Sequence, residues 1–242
     1  MVHTLPDYTT KYKLTRVFGQ IDSGELAARL GNIDTWDRRG NVIWYDDFES
    51  STTKWYFSGT GTGWAVERST DRAYTGAYSL KMTTGDASGN FAKTTKALEN
   101  PTSETIGIEI IANSDHPDNE LYLFIVGFDG NYQYSPAIKW NVGQGKVYYK
   151  DSTGTYQLLR SGIYAEPHLE YWLPLKLVWN WKTLKYVRAV VGEYEYDLSD
   201  EDIQKAVDTS EKHIEIWIYY MSTASGNKIG YVDNAILTQN EP

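Results

Sequence analysis

From Val42 onward, apolar and polar residues alternate in short runs with the two-residue period of β-strands, and the runs are separated by Gly-, Asn- and Asp-rich turns. Val42–Asp46 is apolar and aromatic, and Tyr78–Met82 alternates. Thr105–Ile111 places Ile106, Ile108 and Ile110 on one face. Leu121–Phe128 is apolar on both faces, the pattern of a central sandwich strand. Ala137–Val142 and Lys146–Lys150 flank Gly143-Gln144-Gly145, which signals a hairpin. Leu175–Trp181, Tyr186–Val191 and Glu193–Asp197 read as a meander, and His213–Tyr220 and Ile229–Thr238 close the series. One late helix is expected over Asp200–Val207, with Ser199 as cap and Asp202 three residues on. These elements predict an all-β fold, a two-sheet antiparallel β-sandwich.

Residues 1–41 break that pattern and read as an N-terminal arm. Ser23 or Asp22 can cap a short helix over Gly24–Leu30, with Gly31 in the left-handed position that ends it. Asp37-Arg38-Arg39-Gly40-Asn41 then forms a tight turn into the first strand. The expected organisation is an arm over 1–41 and a sandwich domain over 42–242.

Composition narrows the functional classes. The 242 residues carry a net charge of -9, and Lys and Arg do not cluster, so the electrostatic footprint of a nucleic-acid-binding protein is missing. No apolar run approaches a membrane span, and Met1–Tyr8 lacks a signal-peptide pattern, so synthesis in the cytoplasm is expected. Cysteine is absent, which removes disulfides, thiolate nucleophiles and Cys-based zinc sites. Aromatics favour Trp (9) and Tyr (20) over Phe (6), a balance suited to half-buried faces and stacking surfaces.

Catalytic constellations do not emerge. Glu193, Glu195 and Asp197 share one face of a strand, but on the return strand of a hairpin they read as a solvated face, with Tyr194, Tyr196 and Leu198 turned inward. The histidines, His3, His116, His168 and His213, are scattered and lack metal or triad spacing. The expectation is a protein that is not an enzyme. The remaining signal is aromatic. Glu215, Trp217 and Tyr219 share the polar face of their strand, opposite Ile214, Ile216 and Ile218, and a sugar ring could stack there beside a carboxylate. Tyr132, Tyr134 and Trp140 are candidates for a rim site. The competing reading is that Trp217 and Tyr219 are covered by the arm or by a neighbouring subunit.

The run TrpTyrAspAspPheGlu (44–49), Trp55, Trp64 and ArgAlaTyrThrGlyAlaTyrSerLeuLysMet (72–82) resembles the opening strands of jelly-roll carbohydrate-binding modules, and TyrValAspAsnAlaIleLeu (231–237) resembles their last strand. The block at 173–198 is more similar to a hairpin of concanavalin-A-like or laminin-G-like sandwiches. The first resemblance implies one structural calcium ion held by an acidic residue near the first strand and by the Asp of the last. The carried-over ligands are Asp47, Glu49 and Asp233, with Asp46 competing with Asp47 and a solvated strand end as the alternative. Concanavalin-A-like hydrolases space their catalytic acids Glu-x-Asp-x-x-Glu, which Glu193-x-Glu195-x-Asp197 does not match.

Three functional readings follow. The arm ranks first a structural or adhesive subunit of a larger assembly, such as a virion coat, decoration or tail protein, self-associating or meeting other subunits through residues 1–41 on a virion or other extracellular particle. The alternative is a carbohydrate-binding module that recognises a glycan through an aromatic platform. A hydrolase with an unrecognised site ranks last. Neither nucleic acid nor membrane is an expected partner.

Overall fold

The computed structural model describes Asp37, residues 39–164 and residues 171–242. The expected helix over Gly24–Leu30, and all of the arm except Asp37 and residues 39–41, lie outside the described residues. The strands begin with β1 (Asn41–Asp46), β2 (Tyr56–Gly59), β3 (Ala65–Ser69), β4 (Ser79–Thr83), β5 (Phe91–Leu98) and β6 (Thr105–Ser114). There follow β7 (Asn119–Phe128), β8 (Tyr132–Tyr134), β9 (Ala137–Asn141), β10 (Lys146–Lys150), β11 (Tyr156–Ser161) and β12 (Leu173–Asn180). The series ends with β13 (Lys185–Val191), β14 (Tyr194–Asp197), β15 (Lys205–Val207), β16 (His213–Ser222) and β17 (Ile229–Gln239).

Two antiparallel sheets form a sandwich. The first runs β14-β13-β12-β6-β17-β4-β3, with β1 also paired to β17; the second runs β11-β10-β9-β7-β16-β5-β2, with β8 and β15 at its side. Alternation supplies the core. Ile106, Ile108 and Ile110 of β6 and Leu175, Leu177 and Trp179 of β12 meet Leu121, Leu123 and Ile125 of β7 and Ile214, Ile216 and Ile218 of β16. Each such aliphatic side chain removed from water contributes roughly 1.5–3 kcal/mol.

Three expectations change. Asp200–Val207 is not a helix. The Ser199 amide donates to Asp197 Oδ1 at 2.9 Å, closing a turn, and Ile203 is buried in the core. Lys205–Val207 is a strand, pairing with β8 at Lys205–Tyr134. A helix this short is marginal in water, so the burial of Ile203 and the bonds to β8 prevail. Trp140 is fully buried; it alternates inward with Ile138, and its indole N–H donates to the Ile163 carbonyl at 3.0 Å. Tyr194 is left 52% exposed at the start of its strand, whereas Tyr196 and Leu198 do pack against the core.

A buried ionic network lies on the outer side of the first sheet. Glu109 on β6 and Lys176 on β12 are directly opposed, and both are almost fully buried, as is Arg188 on β13. The Lys176 ammonium lies 2.8 Å from Glu241, 3.1 Å from Asp37 and 3.9 Å from Glu109. Arg188 pairs with Glu241 and, at 3.2 Å, with Asp37. Segments from the two ends of the chain thus neutralise cations on the middle strands. Burial alone would push the Asp37 carboxyl up, but Arg39 and Lys176 hold it well below the usual carboxylate range.

Because that depressed value favours the ionised form, the stabilisation from Asp37 is complete above the unfolded carboxylate pKa of about 3.9 and is lost as pH falls toward the folded value. Asp37→Asn should therefore cost about 1–3 kcal/mol at neutral pH. The deficit should shrink in acid. Urea midpoints of both proteins measured from pH 7 down to pH 3 check this; a deficit that is independent of pH would contradict the ionic assignment.

Candidate functional site

The outer face of the second sheet carries a layer of aromatic side chains. Strand β16 lies between β7 and β5, so Trp217 stands opposite Phe124 and Thr95, and Tyr219 opposite Tyr122 and Lys93. Tyr219 stacks on Tyr122 with ring centroids 4.6 Å apart and 13° between planes, and on Phe124 at 5.8 Å and 15°. Phe124 in turn meets Trp217 at 5.8 Å. Tyr156 closes on Tyr122 edge-to-face at 5.8 Å. Tyr122 and Phe124 are buried, whereas Trp217, Tyr219 and Tyr156 are half-buried.

Charged groups ring this layer. The Trp217 indole N–H donates to Glu215, and the Lys93 ammonium sits 3.5 Å from the Trp217 ring centre. Glu120 accepts from the Tyr122 hydroxyl and, at 2.7 Å, from Asn141. Lys139 lies 3.4 Å from Glu120, 4.8 Å from the Tyr156 ring centre and 5.0 Å from that of Tyr148. Burial pushes the Lys93 ammonium down despite Glu215 nearby, and it pushes the Tyr122, Tyr156 and Tyr219 hydroxyls up. The face therefore offers apolar rings for stacking, with carboxylate and amide acceptors and ammonium donors at its margin.

Of the expected site residues, Glu215, Trp217 and Tyr219 come together here. Tyr132 is separate, at 37% exposure with the Lys205 ammonium 5.0 Å from its ring centre. Tyr134 is buried, its hydroxyl donating to Asp129 at 2.9 Å. Trp140 is interior and offers no ring to a ligand. Tyr122, Phe124, Tyr156, Glu120, Lys93 and Lys139 escaped the sequence reading. The signal for β7 was present, because Tyr122, Phe124 and Phe128 alternate as Trp217 and Tyr219 do.

Asp47, Glu49 and Asp233 occupy the corner where β1 ends, β4 begins and β17 changes partner. The β17 register shifts between Asp233 and Ile236, so β17 pairs with β4 before the bulge and with β1 after it. The fully buried Asp233 accepts from the amides of Tyr74 at 2.8 Å, Thr75 at 3.1 Å and Asn234 at 2.8 Å. Glu49 Oε1 accepts from the amides of Ala77 and Tyr78, both at 2.8 Å, and Asp47 accepts from the Glu49 amide at 3.1 Å. Burial pushes the Asp233 carboxyl up to about 7 even against those amide donors, which favour the ionised form. Among the described residues, no three acidic or histidine side chains converge as metal ligands. In this arrangement two carboxylates latch the turn at Tyr74–Tyr78 by its backbone. The competing Asp46 accepts from the Phe48 amide and, at 2.8 Å, from the Trp55 indole N–H.

No family model matches the chain, and no curated protein matches it. Solved structures do. An endo-β-1,4-glucuronan lyase from Trichoderma reesei aligns at 10% identity over 83% of this chain and 96% of that one, with a TM-score of 0.55. The Bacillus licheniformis β-glucanase aligns at 9% identity over 81% and 98%, TM-score 0.50. The CBM22-1 xylan-binding domain of Paenibacillus barcinonensis Xyn10C aligns at 13% identity over 85% and 99%, TM-score 0.41. This chain has the jelly-roll, concanavalin-A-like β-sandwich fold. At such identities the likeness is one of fold, and a jelly roll hosts many functions.

The latch is the feature of this jelly roll that a single substitution tests best. Gly76 sits at φ +65° inside the latched turn, and an added Cβ would lie 2.2 Å from Glu49 Oε1. Gly76→Ala should lower stability by about 1–3 kcal/mol. A thermal melt at neutral pH checks this, and an unchanged midpoint would mean that the turn is not held by Glu49.

Proposed function

We propose that the domain is a non-catalytic carbohydrate-binding module that holds a glycan against the outer face of its second sheet. The observation that carries this reading is the layer of Trp217, Tyr219, Tyr122 and Phe124 ringed by Glu215, Glu120, Asn141, Lys93 and Lys139. A pyranose presents an apolar C–H face and a polar edge of hydroxyls, and such a layer complements both. Two of the three acids considered for chemistry are engaged in the fold: Glu195 pairs with Arg39 and lies 3.7 Å from Arg188, and Asp197 accepts from the Ser199 amide. The reading of the chain as a virion-type assembly subunit rested on residues 1–41, and no observation on the described residues favours it.

Affinity electrophoresis and a glycan array test the proposal. Wild type should be retarded by at least one polysaccharide, Trp217→Ala should lose about tenfold or more in affinity, and Trp217→Phe should keep most of it. Wild-type protein that binds no glycan would sink the reading.

A calcium ion at the Glu49–Asp233 corner is a separate proposal that rests on the resemblance alone. Its support would be a melting temperature that falls in EDTA for wild type and not for Asp233→Asn. A melting temperature unmoved by EDTA removes the ion and leaves the amide latch as the fastener of this corner.

A further inference from the structure

Strand β11 ends one sheet and β14 ends the other, and the two edges meet on one side of the sandwich. Arg160 on β11 donates to the Tyr196 hydroxyl at 3.3 Å, and its guanidinium carbon lies 3.5 Å from the ring centre of Tyr194. Beside this contact is a cleft of about 270 Å³ lined by Arg160, Ile163, Tyr171, Trp172, Glu193 and Tyr194 among others. Its aromatic walls are open to solvent, with Tyr194 at 52% and Tyr171 at 37% exposure. Trp172 is held edge-on by Tyr74 at 6.0 Å, which fixes the back wall.

Arg160 is the unusual member of this set. Its Nε is buried and has no hydrogen-bond partner, and no carboxylate among the described residues pairs with its guanidinium. A planar cation already stacked on a tyrosine, with donor capacity left over, is suited to a carboxylate, which it can engage with two parallel N–H···O bonds. Exposed aromatic walls next to it are suited to the C–H faces of a sugar. The chain's net charge of -9 gives a polyanion no general attraction, so an acidic ligand would have to be selected by a local cation of this kind.

We infer that this edge cleft is a second glycan site that takes a carboxylated, uronic-acid-type sugar residue, with Arg160 as counter-ion and Tyr194, Tyr171 and Trp172 as stacking walls. It is separate from the aromatic layer on the second sheet and does not depend on it. Glu193 also lines the cleft; it offers an acceptor to sugar hydroxyls while opposing the ligand's charge, and this confines the favoured position of the carboxylate to the Arg160 side.

Calorimetric titration with tetramers of galacturonate, glucuronate and mannuronate, each compared with its methyl ester, tests the assignment. At least one acidic tetramer should bind about tenfold more tightly than its ester. Arg160→Gln should erase that preference, Tyr194→Ala should weaken acid and ester alike, and Glu193→Gln should tighten the acid only. Trp217→Ala, which disables the sheet face, should leave all four results in place. The inference is overturned if no acidic tetramer binds, if acid and ester bind equally, or if Trp217→Ala alone removes the binding. Cleft binding in wild type with no glycan binding that Trp217→Ala weakens would count against the proposed function and not against the cleft.

Discussion

Everything in this sandwich depends on the strict alternation of side chains along β7 and β16, the two long strands at the middle of the second sheet. Successive residues of a strand must face opposite ways. Leu121, Leu123 and Ile125, with Ile214, Ile216 and Ile218, therefore commit one face to the core. The same geometry sends Tyr122, Phe124, Trp217 and Tyr219 to the other side, where they stack on one another. The packing that makes the core leaves an organised aromatic surface behind it. A slip of one residue in the pairing of these strands would exchange the two sets, so core and candidate site are specified together.

Polar fasteners work at the margins of this frame. Asp233 and Glu49 spend their acceptor capacity on five amides, four of them in the turn before β4, at the point where β17 changes partner. Lys176 and Arg188, buried on the far side of the first sheet, find their counter-charges in Asp37 and Glu241. Buried charges of this kind are costly unless paired, so the segments that flank the first and last strands are tied to the sheet they cover.

The two candidate surfaces are ones that the core does not use. The sheet face and the edge cleft differ in chemistry: the first is a broad aromatic layer with mixed charge around it, the second a narrow recess with a cation backed by tyrosine. Both are made of side chains that the core between the sheets leaves uncovered.

The order and spacing of most strands, the hairpin at Gly143–Gly145 and the shared face of Glu215, Trp217 and Tyr219 were legible in the chain, because alternation is a local property that each segment carries alone. The segment Asp200–Val207 misled for the converse reason. Its cap and spacing favour a helix locally, and only the core pocket for Ile203 and the edge of β8 draw it into a turn and a strand. Trp140 and Tyr122 show the same limit. Each sits in an alternating strand, and nothing local says which of its two faces will be roofed by the other sheet. The sequence by itself determined that this chain forms strands, roughly where, and that two sheets must pack. Which faces meet, which acids latch a turn or pair with a buried lysine, and where two edges leave a cleft were decided by contacts between residues far apart in the chain, which exist only once the sheets are assembled.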